Sequence, residues 1–232
     1  MITLLSMLLL GFFLGMRHAT DADHVVAVTN IVSQQRSIRG AAWTGVFWGI
    51  GHSLTLLVVG GGIVLFGLVV SERLGLSLEF SVAIMLIVLG LMNLNAAFHW
   101  FGDADEAERR HAEENERLER WLGGFRLGRD LRPLIIGVVH GLAGSAAVAL
   151  LVLPMIHNAA GAVAYLVVFG VGTIAGMMVI TAAIALPVRY AAVRSAGWHR
   201  LLGGLAGAGS CCFGAFLVYQ IGIVERLFLP AL

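Results

Sequence analysis

The chain lacks lysine and has little charge of either sign. All 15 basic side chains among its 232 residues are arginine, which excludes the Gly-Lys-Ser/Thr phosphate loop of many ATP-hydrolysing proteins. Charged residues make up 12% of the chain, whereas soluble domains carry about 25%. The net charge of +1 provides no strong attraction to nucleic acid. The two cysteines are adjacent, at 211 and 212, so no disulfide framework is indicated.

Long apolar stretches are what the sequence has instead. Hydrophobic residues make up 59% of the chain, and the mean hydropathy is +0.89. Stretches near 20 residues long are typical of helices that cross a bilayer. We therefore predict an all-α polytopic membrane protein with about six transmembrane helices. The predicted segments are 2–32, 43–70, 80–99, 133–153, 160–187 and 202–224.

One connector between these segments differs from the others in its charge. Residues 103–132 contain 16 of the 29 charged residues, and they mix Glu and Arg at helical spacing. This pattern is typical of a solvated helix. We therefore divide the chain into a first transmembrane part (1–98), a charged cytoplasmic helical connector (99–132) and a second transmembrane part (133–232).

The distribution of arginine predicts the orientation. Arginines cluster after the first, third and fifth segments, whereas the opposite face has only Arg73 and Arg226. Because cytoplasmic loops are enriched in arginine, the three rich connectors are expected on the cytoplasmic side. Both termini are then outside. We expect the protein in a bacterial cytoplasmic (inner) membrane.

The two transmembrane parts share a weak internal repeat. "GMRHATDADHVVA" (15–27) aligns with "GVVHGLAGSAAVA" (137–149), and "FWGIGHS" (47–53) aligns with "VFGVGTI" (168–174). Two matches at nearly equal spacing indicate duplication. In the predicted orientation the halves run in opposite directions, so we expect two inverted three-helix repeats. The aligned pairs include Gly15/Gly137, His18/His140 and His52/Thr173.

The first predicted segment contains an unusual group of polar residues. Asp21 and Asp23 are the acidic residues placed inside a membrane segment, and each charge costs at least about 2.5–3.5 kcal/mol there. Arg17 could pair with one carboxylate, or a bound cation with both. A helix over 2–32 would be about 46 Å long in a hydrocarbon core of about 30 Å. We therefore expect a break near this group.

The same residues have the chemistry of a metal site. On an unbroken helix His18, Asp21 and His24 share one face, and Asp23 joins them if the helix is distorted. Imidazole and carboxylate suit nickel, cobalt and zinc better than copper(I). His52, between glycines in the second segment, is the expected ligand from elsewhere in the chain. Candidate pathway residues are Arg17, Ser53, Asn93, His140, Ser145 and Thr173.

These motifs resemble those of a known family. "RHATDADH" resembles the His-x-x-x-x-Asp-His signature of the nickel/cobalt transporter (NiCoT) family, and "FWGIGHS" resembles its Gly-His-Ser motif. The fifth segment has "GTIAGMM" in place of the Asp-Thr-Ala-Thr-Glu motif of typical members. With six segments rather than eight, the chain is closer to the short branch that resembles urease-accessory membrane proteins. The resemblance implies a metal permease whose first-motif residues bind the ion.

We therefore predict a nickel or cobalt permease that is not an enzyme. Import is driven by the membrane potential, the transported ion is Ni²⁺ or Co²⁺, and no prosthetic group is expected. One alternative is a proton-coupled nickel/cobalt exporter. Others are a membrane enzyme that uses the His18–Asp23 pair, and a metal-delivery scaffold. The expected partners are the metal ion, the lipid bilayer and a cytoplasmic metallochaperone docked on 103–132.

Overall fold

The computed structural model describes residues 4–33, 37–68, 71–99, 127–142, 156 and 158–228. Helices dominate this part of the chain, which contains no strand. A five-residue π-helical turn, Gln220–Val224, extends the last helix. The helices are α1 (Leu4–His18), α2 (Ala22–Val32), α3 (Ile38–Phe66), α4 (Glu72–His99), α5 (Leu127–Leu142), α6 (Ala159–Arg194) and α7 (Ala196–Tyr219).

Four of these helices are long and apolar enough to cross a membrane. They cover Ile38–Phe66, Glu72–Phe98, Ala159–Tyr190 and Arg200–Val224, and they correspond to the second, third, fifth and sixth predicted segments. The fourth predicted segment begins within α5, and its remainder, 143–153, lies outside the described residues. Most of the charged connector also lies outside them. The all-helical membrane class is thus confirmed, whereas the six-segment count stays a prediction.

The first predicted segment is two short helices rather than one. α1 ends at His18 and α2 begins at Ala22, so the predicted break occurs within the polar group. α1 and α2 are about 22 and 16 Å long at 1.5 Å per residue. Neither helix spans a hydrocarbon core of about 30 Å alone. The break therefore places the end of one helix and the start of another within the bundle.

Two predicted connectors are wrong because helix continues through them. Pro187 lies inside α6, which extends to Arg194, since a membrane helix tolerates proline when its surroundings satisfy the freed backbone group. Only Ser195 separates α6 from α7, and its hydroxyl caps α7 by accepting a hydrogen bond from the Gly197 amide. Residues 72–79, which the prediction placed in the connector before the third segment, are the first turns of α4.

α1 packs along α6 through glycines that allow the two backbones to touch. A Cβ on Gly15 would lie 2.9 Å from the Thr173 amide nitrogen and closer still to the Phe169 carbonyl. Gly172 meets Phe12 and Gly176 meets Met16 in the same way. Residue numbers rise together along both helices, so α1 and α6 are parallel.

α3 and α5 form a second parallel pair of the same kind. A Cβ on Gly51 would lie 3.0 Å from the Val138 amide nitrogen, and one on Gly137 would lie 3.0 Å from the His52 amide nitrogen. Thr55 adds a hydrogen bond of 3.3 Å to the Val138 carbonyl. These contacts place the end of α5 beside the middle of α3.

The remaining extensive contacts join antiparallel helices. Along α3 and α6, Gly45 meets Met177, Gly49 meets Ile174 and Ser53 meets Gly170, so numbers rise on one helix as they fall on the other. Along α4 and α7 the same reversal is seen, because Gly90 meets Cys211 whereas Gly214 meets Ala83. It follows that α1 is antiparallel to α3 and to α5.

Packing at Gly15 predicts a large cost for a single methyl group. We expect Gly15→Ala to lower the free energy of unfolding by about 1–3 kcal/mol or more, because the added carbon collides with the α6 backbone. Gly209→Ala is the matched control. Nothing lies within 4 Å of its Cβ, so it should be neutral or stabilising by up to about 1 kcal/mol. Thermal unfolding in detergent measures both, and equal transition temperatures would contradict this packing.

Candidate metal centre

The break between α1 and α2 is built around His18 and Asp21. His18 is the last residue of α1, and Asp21 precedes α2 with an extended backbone (φ −61°, ψ 148°). The Asp21 side chain makes no capping hydrogen bond to α2. Instead it accepts one of 2.8 Å from His18 Nδ1. The carboxylate therefore fixes the imidazole ring, and the side chain of Asp21 stays 44% exposed.

Three buried imidazoles meet at this break. His18 comes from α1, His24 from the first turns of α2, and His52 from the middle of α3. Their ring centroids lie 4.7 to 5.1 Å apart. Each ring offers one nitrogen, and these three atoms lie within 4.8 Å of one another. We call these three residues the histidine trio.

The spacing within the histidine trio suits one metal ion. His52 Nε2 donates a hydrogen bond of 3.1 Å to His18 Nε2, because the proton of the neutral His18 ring lies on Nδ1 toward Asp21, and a metal ion could take the place of this shared proton. Two nitrogens bound to one metal at about 2.0–2.1 Å are about 2.9 Å apart at a right angle and about 3.4 Å apart in a tetrahedron. The observed distance falls between these values. The two nitrogens can therefore bind one ion with little movement.

Carboxylates orient two of the three rings. His18 Nδ1 donates to Asp21, and His24 Nδ1 donates to Asp23 Oδ1 at 3.1 Å. With the proton on Nδ1, each neutral ring keeps a lone pair on Nε2. His24 Nε2 is fully buried and has no hydrogen-bond partner. This arrangement of carboxylate, histidine and open nitrogen is typical of metal ligands with an outer supporting shell.

Asp23 also connects the trio to the second half of the chain. Its Oδ2 accepts a hydrogen bond of 2.7 Å from His140 Nε2, near the end of α5. The ring centroids of His24 and His140 are 4.3 Å apart. Asp23, His24 and His140 form a second set whose ligand atoms lie within 4.8 Å of one another. His24 thus belongs to both sets, and Asp23 bridges two imidazoles.

Two aromatic residues that the sequence analysis did not select enclose these rings. Trp48 stacks on His24 with centroids 5.7 Å apart, and it meets His140 edge to face at 5.6 Å. Phe169 lies 5.7 Å from His18. Both are fully buried. The signal that could have identified them is their matched position in the aligned segments 47–53 and 168–174.

Several predicted residues lie outside this centre. Arg17 is exposed and forms no ion pair with Asp21 or Asp23, so the proposed arginine–aspartate pair is wrong. Ser53 donates to the Gly170 carbonyl at 3.1 Å, which makes it a packing contact. Thr173 is buried and donates to the Phe169 carbonyl at 3.0 Å.

Asn93 belongs to a different polar group, near the end of α2. Its Nδ2 donates to Asn30 Oδ1 at 2.7 Å and to Ser33 Oγ at 2.9 Å. These bonds tie α4 to α2 rather than reaching the histidines. Ser145 lies outside the described residues.

The centre can hold a borderline divalent cation. It supplies imidazole nitrogens and a carboxylate without a thiolate, and such ligands suit nickel, zinc and related ions. All four histidines are at most 4% exposed. A buried ring nitrogen without a partner is costly, and this holds for His24 Nε2, His52 Nδ1 and His140 Nδ1. A cation bound at the Nε2 atoms of the trio would give His24 Nε2 a partner.

Comparison with known proteins also indicates a relation to nickel. Residues 4–196 match the model of the NicO family, described as high-affinity nickel-transport protein. The urease accessory protein UreH of Bacillus sp. (strain TB-90) is 35% identical over 227 residues, covering 98% of this chain and 96% of that protein. No solved structure matches the chain.

A second relative matches over a shorter region. The hydrogenase nickel incorporation protein HupN of Bradyrhizobium diazoefficiens (strain JCM 10833 / BCRC 13528 / IAM 13628 / NBRC 14792 / USDA 110) is 33% identical over 93 residues. The match covers 37% of this chain and 24% of that protein.

The different positions of the two carboxylates lead to a testable difference. We expect Asp23→Asn to weaken nickel binding more than Asp21→Asn, because the Asp23 carboxylate that orients His24 is 19% exposed, whereas the Asp21 carboxylate that orients His18 is 44% exposed and water can replace part of its role. Loss of one supporting contact typically costs about 10–100-fold in metal affinity. Nickel titration of the purified variants measures both constants. Equal losses, or a larger loss in Asp21→Asn, would contradict the greater importance of the more buried carboxylate.

Proposed function

The chain belongs to the NicO family of high-affinity nickel-transport proteins, and from this premise we propose that it is a permease for Ni²⁺. The ion passes through the buried histidines. Nickel is preferred over cobalt as cargo because the family description and the name of the HupN relative both specify nickel. The family and the UreH relative comprise transport and accessory proteins, so the role is not enzymatic. The membrane-enzyme alternative is therefore set aside.

The observation that carries this proposal is the histidine trio. Its three rings are buried, two of them are oriented by carboxylates, and the Nε2 atoms of His18 and His52 are spaced for one ion. Ionisable side chains within membrane segments mark ion pathways by default. We propose that His18, His24 and His52 bind the ion, with Asp21 and Asp23 as orienting residues.

A second position for the ion follows from the shared residue. Asp23, His24 and His140 form a ligand set that overlaps the trio at His24. An ion bound by the trio can therefore pass to the second set by exchanging His18 and His52 for Asp23 and His140. We propose this exchange as the central step of transport.

The helix packing supports the proposed inverted repeats. Gly15 meets the backbone at Phe169 and Thr173, and Gly137 meets it at Trp48 and His52. The two contacts are equivalent when 15–27 is aligned with 137–149 and 47–53 with 168–174. Their helices run in opposite directions, since α1 is antiparallel to α5 and α3 to α6. Inverted repeats with a site at their interface are typical of secondary transporters.

Equivalent packing contacts are also found between the last helices of the two halves, α4 and α7. Gly90 on α4 meets the Gly207 carbonyl and the Cys211 amide, and Gly207 meets the Gly90 carbonyl and the Leu94 amide. Each glycine thus meets the carbonyl of the other glycine and the amide of the residue four positions after it, so the two contacts are equivalent. We propose that α4 and α7 are the third pair of the repeat.

The membrane potential is sufficient to drive import. A divalent cation that enters a negative interior gains about 4.6 kcal/mol per 100 mV, at about 2.3 kcal/mol per charge. We propose import into the cytoplasm of a bacterial cell, with the arginine-rich connectors inside. A docking role of 103–132 for a metallochaperone stays part of the proposal, as does the alternative of proton-coupled export.

Uptake into proteoliposomes tests the permease proposal. We expect initial Ni²⁺ uptake that rises with an imposed inside-negative potential and is lost in His52→Ala, because this change removes a ring of the trio. Thr29→Ala is the control. It lies on α2, and its hydroxyl is bonded to the Val25 carbonyl of its own helix, so uptake should be unchanged.

Other outcomes of this assay separate the alternatives. Nickel movement that follows a pH gradient and is insensitive to potential would favour the exporter. No movement of nickel or cobalt by folded protein under either gradient would overturn the permease and favour the metal-delivery scaffold.

His140 separates binding from transfer. Because it lies outside the trio, we expect His140→Ala to keep nickel affinity within a few-fold while reducing uptake at least about tenfold, as for a step slowed by ~1.4 kcal/mol. Equilibrium titration and initial uptake measured on the same preparation make the comparison. A parallel loss of affinity and uptake would place His140 in the primary binding position instead.

A further inference from the structure

Two fully buried aromatic side chains border the histidine trio. Phe169 on α6 packs against His18, with ring centroids 5.7 Å apart. Trp48 on α3 stacks on His24 at 5.7 Å and meets His140 at 5.6 Å. The trio is therefore enclosed by aromatic rings contributed by two different helices.

These two residues are displaced in opposite directions along the antiparallel helices α3 and α6. Trp48 is one turn before His52 on α3, and Phe169 is one turn before Thr173 on α6. Because α3 and α6 are antiparallel and Ser53 lies against Gly170, one turn back along each helix leads in opposite directions. Phe169 therefore lies toward the face where α1 begins, and Trp48 toward the face where α3 begins.

The backbones at the two rings occupy equivalent positions in the bundle. The Phe169 carbonyl faces Gly15 of α1, and the Trp48 carbonyl faces Gly137 of α5. Both glycines allow the neighbouring helix to approach the backbone at the aromatic residue. Phe169 in the second half is thus matched in its backbone contacts by Trp48 in the first.

The Trp48 indole is not fully satisfied where it lies. Its Nε1–H is buried and has no hydrogen-bond partner, and an unpaired buried donor carries a cost. Movement of the indole toward water or a polar group would remove that cost. This ring therefore has a physical reason to adopt a second position.

We propose that Phe169 and Trp48 are the two gating side chains of the pathway. Phe169 closes the face where α1 begins, Trp48 closes the face where α3 begins, and with both in place the trio is sealed from both. This inference rests on the proposed passage of an ion through the trio. Each ring must move in turn for the ion to enter from one face and leave by the other.

Thiol labelling tests this assignment without any metal. The native cysteines are replaced (Cys211→Ser, Cys212→Ser), and Thr173→Cys places a reporter of similar size at a fully buried position. A membrane-impermeant thiol reagent is added to one face in right-side-out vesicles and to the other in inside-out vesicles. Slow labelling from both faces is expected in this parent.

Each gate variant should open one face only. We expect Phe169→Ala to accelerate labelling from the face where α1 begins, and Trp48→Ala from the face where α3 begins. An acceleration of at least about tenfold is expected, which corresponds to ~1.4 kcal/mol. Phe169→Leu and Trp48→Phe keep most of the side-chain volume and should restore slow labelling.

Matched controls use exposed aromatic residues on neighbouring surfaces. Trp43 on α3 and Phe13 on α1 are 53% and 63% exposed, so Trp43→Ala and Phe13→Ala should leave both rates unchanged. Acceleration from the same face in both gate variants, from both faces at once, or in neither would overturn the proposal.

The labelling result is independent of the nickel assay. If labelling follows the expected sides but no nickel moves, the gates stand and the choice of cargo fails. If nickel uptake is intact and labelling does not respond, the pathway stands and these two gates are rejected.

Discussion

The structure depends on keeping two carboxylates inside an apolar bundle. The Asp23 side chain is 19% exposed and that of Asp21 is 44% exposed, so Asp23 carries the larger cost of removal from water, and each carboxylate accepts a hydrogen bond from an imidazole Nδ1. The helix is interrupted between α1 and α2, at the point where these bonds form. A continuous helix would direct Asp23 away from the face shared by His18 and His24. The break is thus a consequence of the charge.

Glycine determines how closely the second half can approach this break. Gly15, Gly51, Gly137 and Gly172 each place a Cα where a methyl group would collide with the backbone of the neighbouring helix. Close approach of helices through small residues is the usual basis of packing in membranes. Here it has a second consequence, because Gly137 lies one turn before His140 and Gly51 directly precedes His52. The same contacts that hold the bundle together therefore bring imidazoles from α3 and α5 to the break.

Sequence reasoning identified the features that have a large energetic signal. Two charged residues in an apolar segment, and a segment too long for the bilayer, were sufficient to predict the polar group and the break. His52 was found because it is isolated among apolar residues. The resemblance to nickel/cobalt transporters was confirmed by the family match.

Other features depended on three-dimensional detail that a sequence does not contain. The pairing of Arg17 with a carboxylate was wrong because histidines near each carboxylate form its hydrogen bonds. His18, three residues before Asp21, bonds to Asp21, and His24, the residue after Asp23, bonds to Asp23. Pro187 did not end a helix, since its effect depends on what surrounds the freed carbonyl. The sequence does not distinguish Trp48 and Phe169 from other aromatic residues, because what sets them apart is their contact with the histidine rings.

The helices of the two halves pack in equivalent ways, whereas the two halves contribute different numbers of ligands to the site. The first half contributes His18, Asp23, His24 and His52. Among the described residues of the second half, His140 is the contributor, and Thr173, which lies outside the centre, occupies the position aligned with His52. In the proposed permease, an ion held mainly by one half is bound with different strength as the two faces open in turn. Such a difference changes the rates of loading and release. It does not change the final distribution of the ion, which the concentration gradient and the potential set. Under the proposed mechanism the asymmetry of the ligands therefore sets the speed of transport, while the concentration gradient and the membrane potential set its direction.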